Sequence, residues 1–287
     1  LYMYRIRKGA VVEASLLGAV LTLAAVVAGN WIPGSFLEPY FSLTRNQTTF
    51  ALAAYGFVAS VLPVWLLLCP RDYLSSFLKI GTIGLLVGGV LVANPALPCP
   101  MFNETFASRG PTFPWGGVFP FVFVCIMCGA VSGFHSLVSS GTTPKMIDKE
   151  SDIRPIGYGA MLIEGLVGVV ALIAASSLDP KIYYEMNIDS AKVATWRPQV
   201  HKMMEELGQG GLTHLPVERR DLNKVEELVG GETLSGRTGG AATLAVGMSF
   251  ILTDAFKGLG ISVETLTKYW YHFAIMFEAL FILTTID

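Results

Sequence analysis

Seven long apolar runs constrain the fold of this chain more than any other feature of its sequence. They cover residues 9–29, 50–69, 77–97, 118–138, 156–177, 239–256 and 269–286. A helix that crosses a bilayer needs about 20 mainly apolar residues, and each run is close to that length. Only 15% of the residues are charged, compared with about 25% in soluble domains. The sequence therefore predicts an all-α polytopic membrane protein, with about seven transmembrane helices in a lipid bilayer.

The basic residues predict how these spans are oriented. Ten lysines and arginines precede the first run or fall in every second loop, whereas the other short loops hold two, Arg45 and Arg109. An excess of lysine and arginine marks the cytoplasmic side, so we expect the first residues in the cytoplasm. Strict alternation then directs the fifth and seventh spans outward and the sixth inward. The near-neutral total of 20 basic and 22 acidic residues argues against a nucleic-acid partner.

One sizeable polar segment interrupts the apolar runs. It predicts a membrane domain at 1–177, an extracytoplasmic polar cap at 178–237, and a continued membrane domain at 238–287. Within the cap, hydrophobic periodicity predicts amphipathic helices at 199–208 and 221–229. The cap is too short to bury an independent core of any size.

Two further stretches carry predictions about boundaries. The chain starts at Leu1 without a signal peptide and stops directly after an apolar run, so we expect an internal fragment with further spans on both sides. Between the second and third runs, CPRDYLSSFLK (69–79) predicts a compact cytoplasmic turn, in which Asp72 caps the helix that follows.

The fourth run continues into small polar residues at helical spacing. Gly129 and Gly133 permit close approach of a second helix, and hydroxyl groups can hydrogen-bond across such an interface. His135 is an ionisable group within a span, which is costly in lipid and by default indicates a polar pathway. The hydroxyls around it are those of Ser132, Ser136 and Ser140. The sequence leaves two interpretations open, a packing face and the wall of a substrate or proton pathway.

Two carboxylates lie midway along apolar runs. Glu164 and Glu278 each fall roughly 12–14 Å from the inner edge of their span, at 1.5 Å per residue. Such acids are too costly to face lipid. Burial raises the pKa of a carboxyl group, which suits a residue that takes up and releases a proton. The alternative is a pair of protonated or hydrogen-bonded structural acids.

The start of the sixth run combines an arginine with two glycines. Arg237 precedes Gly239 and Gly240, and a helix N-terminus beside an arginine attracts carboxylates. Arg237 is therefore a candidate to bind a substrate carboxylate, and anchoring at the membrane surface is the other interpretation. We assign the two glycines to helix packing.

No motif predicts an enzyme. The sequence has no nucleotide loop and no metal-ligand spacing, and its four cysteines give no disulfide framework. A serine–histidine hydrolase built on Ser132, His135 and Ser136 is conceivable, but no oxyanion-hole motif accompanies these residues. Cys125-x-x-Cys128 lies in an apolar helix and favours packing over redox chemistry. We therefore predict a non-enzyme without cofactor or metal.

Three long stretches carry a resemblance to a known family. They are ASVLPVWLLLCPRDYLSSFLKIGTIG (59–84), CGAVSGFHSLVSSGTTPKMIDKESDIRPIGYGAMLIEG (128–165) and SGRTGGAATLAVGM (235–248). The chain resembles the carbon starvation protein A family of bacterial inner-membrane transporters over almost its whole length. The resemblance implies uptake of peptides or, in some members, pyruvate by proton symport under nutrient limitation. It also implies a fold related to the amino acid–polyamine–organocation superfamily of broken-helix transporters.

Two hypotheses from different classes follow. The first is a secondary active transporter that imports a peptide or a small organic acid, with a coupling carboxylate near mid-membrane. Its predicted coupling ion is a proton or Na⁺. The second is a membrane sensor or interaction module of the starvation response that transports nothing itself. In the second case the cap at 178–237 matters for function, and Glu164 and Glu278 do not.

Overall fold

Helices make up all the regular secondary structure of the residues that the computed structural model describes. These residues are 11–29, 31–32, 34–62, 68–99, 123, 143–207 and 215–286. In chain order the helices are α1 (Val11–Gly29), α2 (Glu38–Phe41), α3 (Arg45–Val61), α4 (Leu68–Ala93), α5 (Thr143–Met146), α6 (Glu150–Ser176), α7 (Pro180–Asn187), α8 (Val193–Leu207), α9 (Leu222–Leu228), α10 (Ala241–Phe256) and α11 (Val263–Ile286). Short 3-10 turns lie at Val217–Arg220 and Lys257–Leu259. The predicted all-α class is confirmed for this part of the chain.

The helix of the predicted second span, 50–69, starts and ends earlier than expected. At the start of α3, Thr44 and Gln47 form a capping box, in which the Thr44 amide donates to the Gln47 side chain at 2.9 Å. At its end, Leu62 is extended, with φ −72° and ψ 148°. Leu62 precedes Pro63, and the ring of a proline disfavours helical backbone in the residue before it. The helix therefore ends at Val61.

The start of α4 corrects the turn predicted at 69–79. That stretch forms the first turns of a helix that begins at Leu68 and has 26 residues, which corresponds to about 39 Å at 1.5 Å per residue. Pro70 is tolerated there because the amide groups of a first turn have no partner within the helix. Asp72 thus lies inside α4 and does not precede its first turn.

Two helices of the described residues are long and apolar enough to cross a membrane. They are α6, with a mean hydropathy of 2.0, and the stretch Ala241–Leu259, with a mean hydropathy of 1.3. Most residues of α6 are exposed, whereas α10 is largely surrounded by protein. Val12–Leu21 and Leu78–Ala93 are apolar but shorter. Seven spans and the three-part division of the chain stay predictions.

α10 forms the centre of the described structure. Every residue from Ala245 to Thr253 is buried, and α4, α6 and α11 pack around this helix. The predicted amphipathic helices of the polar segment 178–237 are present as α8 and α9. This segment joins the same hydrophobic core through Leu178, Ile182, Met186, Val225, Val229 and Leu234.

The order of contacts shows that α6 and α10 run in the same direction. Val170 and Leu244 line one small cavity. Further along both helices, Gly247 lies against the backbone of Ala174. Strict alternation of spans predicted opposite directions for the fifth and sixth spans, and that prediction is wrong for α6 and α10.

The polar segment between these helices makes the parallel arrangement possible. Directly after α6, Leu178 lines a cavity together with Phe250, in the second half of α10. α7 then runs alongside α10 in the opposite direction, towards the start of α10. At the end of α7, Asn187 Nδ2 donates a hydrogen bond of 2.7 Å to the Thr243 hydroxyl. Burial of the segment's apolar side chains against α10 stabilises this return.

α11 packs on α10 in antiparallel orientation. The hydroxyls of Thr253 and Thr267 are 3.1 Å apart, close to the turn that joins the two helices. At the other end of the pair, Phe277 lines the same cavity as Leu244. α6 and α11, which we expected to run outward together, therefore run in opposite directions.

Candidate functional site

The predicted polar face of the fourth run lies outside the residues that the structure describes. This applies to Gly129, Ser132, Gly133, His135, Ser136 and Ser140, as well as to Cys125 and Cys128. Its interpretation as a packing surface or as the wall of a pathway stays a prediction.

Glu164 and Glu278 lie at similar levels beside the first turns of α10. Val167 and Phe277 line the same small cavity as Leu244. Glu164 is one turn before Val167, about 4.5 Å along α6 at 1.5 Å per residue, and Glu278 directly follows Phe277. The two carboxylates therefore have similar depths, on helices that run in opposite directions.

The surroundings of these two acids differ. Glu164 is exposed, on a helix whose Leu162 and Leu166 are also exposed. Glu278 is half-buried within α11. Neither carboxylate forms a hydrogen bond or an ion pair with another described residue, and the structure does not bring the two into contact.

The backbone at the start of α10 requires glycine. Gly239 (φ 111°) and Gly240 (φ 85°) are both left-handed, a conformation that only glycine adopts at little cost. A Cβ atom at either position would meet no neighbour within 4 Å. Their predicted packing role stays a prediction. Close helix approach occurs at Gly247, where a Cβ atom would stand 2.7 Å from the carbonyl carbon of Ala174.

Arg237 forms an ion pair just before α10 begins. Its Nη1 lies 3.1 Å from Glu232 Oε2, and the Tyr271 hydroxyl donates to the same oxygen at 3.1 Å. Arg237 is exposed and Glu232 half-buried. A guanidinium has five N–H donors, so a substrate carboxylate would share Arg237 with Glu232 or replace it.

A polar cavity lies where the C-terminal ends of α4, α6 and α10 meet. Its volume is about 230 Å³, and its charged side chains are Asp179, Arg219 and Asp254. None of the three was a candidate from the sequence. The one sequence signal is Asp179 followed by Pro180, which is typical of an N-cap and first position of a helix. Among the described residues, no group of three or more His, Cys, Asp or Glu side chains is arranged to hold a metal ion.

Arg219 is fixed by two kinds of contact. Its guanidinium donates two hydrogen bonds to Asp254, of 2.7 and 2.8 Å. It also lies 4.4 Å from the centre of the Phe250 ring. Such bidentate and aromatic contacts are specific to the planar arginine side chain. Arg219 is only 8% exposed, so water does little to solvate its positive charge. The carboxylate of Asp254 neutralises that charge instead.

Asp179 is the second buried charge of the cavity. It is 3% exposed and caps α7 by accepting a hydrogen bond of 2.8 Å from the Lys181 amide. Burial raises the pKa of this carboxyl, while that hydrogen bond and the charges of Lys181 and Arg220 oppose the shift. Burial and, second, the charge of Asp179 raise the pKa of the Cys99 thiol to about 11.

The described residues are helical, and two of their helices are long and apolar enough to cross a membrane. This combination, with ionisable side chains in and beside the apolar helices, is typical of a helical membrane protein. The family model described as "Carbon starvation protein CstA" matches residues 1–287. The chain belongs to the CstA family, which confirms the resemblance seen in the sequence. No solved structure matches the chain.

Several relatives with assigned names are similar over the entire chain. The peptide transporter CstA of Mycobacterium tuberculosis (strain ATCC 25618 / H37Rv) is 47% identical over 100% of this chain and 37% of the relative. The peptide transporter CstA of Escherichia coli (strain K12) is 45% identical, over 100% and 40%. The pyruvate/proton symporter BtsT of the same strain is 41% identical, over 100% and 42%.

These alignments bear on the predicted absence of enzyme activity. The relatives are named as transporters and not as enzymes, in agreement with the predicted non-enzyme. The chain spans about two fifths of the length of the relatives that it matches.

Proposed function

We propose that the full-length protein is a secondary active transporter that imports a peptide or a small organic acid such as pyruvate. The observation that carries this proposal is the similarity of the whole chain to relatives named as peptide transporters and as a pyruvate/proton symporter. The coupling ion is a proton, the membrane is the bacterial inner membrane, and the protein acts under carbon limitation.

Glu164 and Glu278 carry the coupled protons in this proposal. Both lie on apolar helices at similar levels, and neither has a fixed partner among the described residues. A carboxylate in such surroundings changes its protonation state when solvent access changes, as alternating access requires. His135, Ser132, Ser136 and Ser140, which lie outside the described residues, belong to the same path in this proposal.

Arg237 binds the carboxylate of the substrate in this proposal. It lies directly before the N-terminus of α10, where the helix dipole also favours a negative charge. Its ion pair with Glu232 is partly exposed, so a substrate carboxylate competes with Glu232 at little desolvation cost.

Uptake by the full-length protein in proteoliposomes tests the proposal. We expect an inward proton gradient to drive accumulation of labelled L-alanyl-L-alanine or labelled pyruvate. Glu164→Gln removes the titratable group, so accumulation is expected to fall at least tenfold. Glu150→Gln, on the exposed first turn of the same helix, is the matched control and is expected to transport normally.

Two results would contradict the proposal. Folded wild-type protein that accumulates neither substrate would favour the sensor hypothesis, in which the segment 178–237 carries the function. Accumulation that is the same with and without a proton gradient would exclude proton symport and would lead to the same assay with a Na⁺ gradient.

A further inference from the structure

The polar cavity beside Asp179 has the electrostatics of a cation site. The last residue of α4 is Ala93, the last residue of α6 is Ser176, and α10 ends at Phe256. Residues in the last two turns of α10, and residues at or just after the ends of α4 and α6, line the cavity. The C-terminal end of a helix carries partial negative charge, so three such ends together favour a positive ligand.

The charged side chains of the cavity also favour a positively charged ligand. The Arg219 guanidinium is already neutralised, because both carboxylate oxygens of Asp254 accept hydrogen bonds from it. Asp179 has no comparable cationic partner in the cavity, and its carboxylate offers about four acceptor positions. Two of them are directed at backbone amides, those of Lys181 and Ile182. The cavity therefore presents one buried carboxylate that has no ion pair and whose charge is offset only in part, by Lys181 and Arg220.

The size and lining of the cavity limit what this ligand is. Its volume of about 230 Å³ is below the range of about 300–1,000 Å³ that is usual for drug-sized ligands. Leu215, Pro216 and Ile251 supply part of the apolar lining. The combination suits a primary ammonium group attached to one small residue.

We propose that this cavity binds the N-terminal ammonium group of a peptide, with Asp179 as its principal acceptor. The inference deepens the proposed function and rests on it for the identity of the ligand as a transported substrate. Arg237 precedes α10 and the cavity lies beside Ile251, so the two are at least about 15 Å apart at 1.5 Å per residue. A dipeptide spans about 7 Å and therefore occupies the cavity and the Arg237 site in succession, not together. It also selects among the substrates named above, because pyruvate has no ammonium group and a peptide has one. A peptide held here presents its free amino end to the cavity, and acetylation of that end removes the interaction.

The chain provides a matched pair of variants for the test. Asp179 and Asp221 are both helix N-caps, and each accepts a hydrogen bond from the amide two residues later, at 2.8 and 3.0 Å. Asparagine caps a helix about as well as aspartate, so Asp179→Asn removes the charge and keeps the cap. Asp221→Asn makes the same change at an exposed position outside the cavity.

Calorimetric titration of the purified full-length protein in detergent makes the comparison. The probes are L-alanyl-L-alanine, its N-acetyl derivative and pyruvate. We expect wild-type protein to bind the free dipeptide at least tenfold more tightly than the acetylated one. Asp179→Asn is expected to weaken binding of the free dipeptide by about tenfold or more, the usual effect of losing a hydrogen bond to a charged group. Asp221→Asn is expected to bind as wild type does.

Equal affinity for free and acetylated dipeptide would overturn the proposal, as would undiminished binding by folded Asp179→Asn or no binding of any probe. The acetylation comparison uses wild-type protein alone, so it decides even if the variant fails to fold. If binding depends on the free ammonium group but the proteoliposomes show no uptake, the proposed transport is refuted and the proposed site is not. If a proton gradient drives uptake but binding does not depend on the ammonium group, the proposed site is refuted and the proposed transport is not.

Discussion

At the scale of single residues, Asp179 and Asp221 show how much of a site the sequence reveals. Both aspartates precede short helices, and N-capping by aspartate is a pattern that sequence alone predicts. Their burial differs, since Asp179 is 3% exposed and Asp221 lies on the surface. That difference depends on how the segment 178–237 packs on α10, which no local pattern records.

The raised pKa of Asp179 makes stability depend on pH in a defined direction. Burial raises the pKa of this carboxyl in the folded protein, so its ionisation costs the folded state free energy. The cost is absent below the unfolded pKa, where both states are protonated, and is fully present above the folded pKa. Without peptide, Asp179→Asn should gain stability relative to wild type as pH rises from 4 to 8.

Thermal unfolding of wild type, Asp179→Asn and Asp221→Asn across this pH range checks the prediction. The exposed Asp221 is the control, and its variant should follow the wild-type curve. A stability difference between wild type and Asp179→Asn that does not change with pH would contradict the assigned cause of the shift.

Arg219 and Arg237 offer a second comparison, between a buried and an exposed ion pair. Arg219 is buried and donates two hydrogen bonds to Asp254, whereas Arg237 donates one, at the surface, to Glu232. Lysine cannot reproduce bidentate geometry. We expect Arg219→Lys to lower the free energy of unfolding by about 2 kcal/mol.

The matched change Arg237→Lys should cost less than about 0.5 kcal/mol, as is usual for exposed pairs. Denaturant unfolding in detergent measures both. Asp254→Asn should then lower the free energy of unfolding by less in the Arg219→Lys variant than in wild type, because the ion pair is already weakened in that variant. Equal effects of the two lysine substitutions would show that the Arg219 contacts do not stabilise the fold.

At the scale of helices, the sequence predicts that a helix is present better than it predicts where the helix ends and in which direction it runs. Hydrophobic periodicity predicted α8 and α9, and the proline at position 63 agrees with the end of α3. The start of α4 was missed because Pro70 and Arg71 read as turn residues, although a first helical turn accommodates proline. The parallel course of α6 and α10 was missed because alternation assumes that a polar segment stays on one side of the membrane.

Gly247 tests whether the parallel packing of α6 and α10 is correct. A Cβ atom there would collide with the backbone of Ala174, and a backbone cannot rotate away as a side chain can. We expect Gly247→Ala to lower stability by about 2 kcal/mol, within the usual cost of overpacking.

The control for this substitution is Gly168→Ala on α6, where a Cβ atom meets nothing within 4 Å. Alanine also favours helix more than glycine does, so this variant should lose no stability. Thermal unfolding of the two variants is the measurement. Unchanged stability of Gly247→Ala would contradict the contact between the two helices.

At the scale of the whole molecule, the sequence alone predicted two properties. The apolar runs predicted the all-α class, and three long stretches predicted the family. The candidate site was predicted only in part. Glu164 and Glu278 stood out because acids within apolar runs are rare, and the structure places them at similar levels. The cavity of Asp179, Arg219 and Asp254 combines residues up to 75 positions apart. Such a combination follows from tertiary packing, which spacing along the chain does not encode.

The central claim is that Glu164 and Glu278 carry the coupled proton, and a measurement of proton movement tests it most directly. Full-length protein is reconstituted in vesicles with a trapped pH dye, and the substrate is added outside without an imposed gradient. The account predicts acidification of the lumen by wild-type protein and by Glu264→Gln, on the exposed first turn of α11. It predicts at least tenfold slower acidification by Glu278→Gln and by Glu164→Gln. Substrate-dependent acidification at the wild-type rate in both variants would contradict the claim that these carboxylates carry the coupled proton.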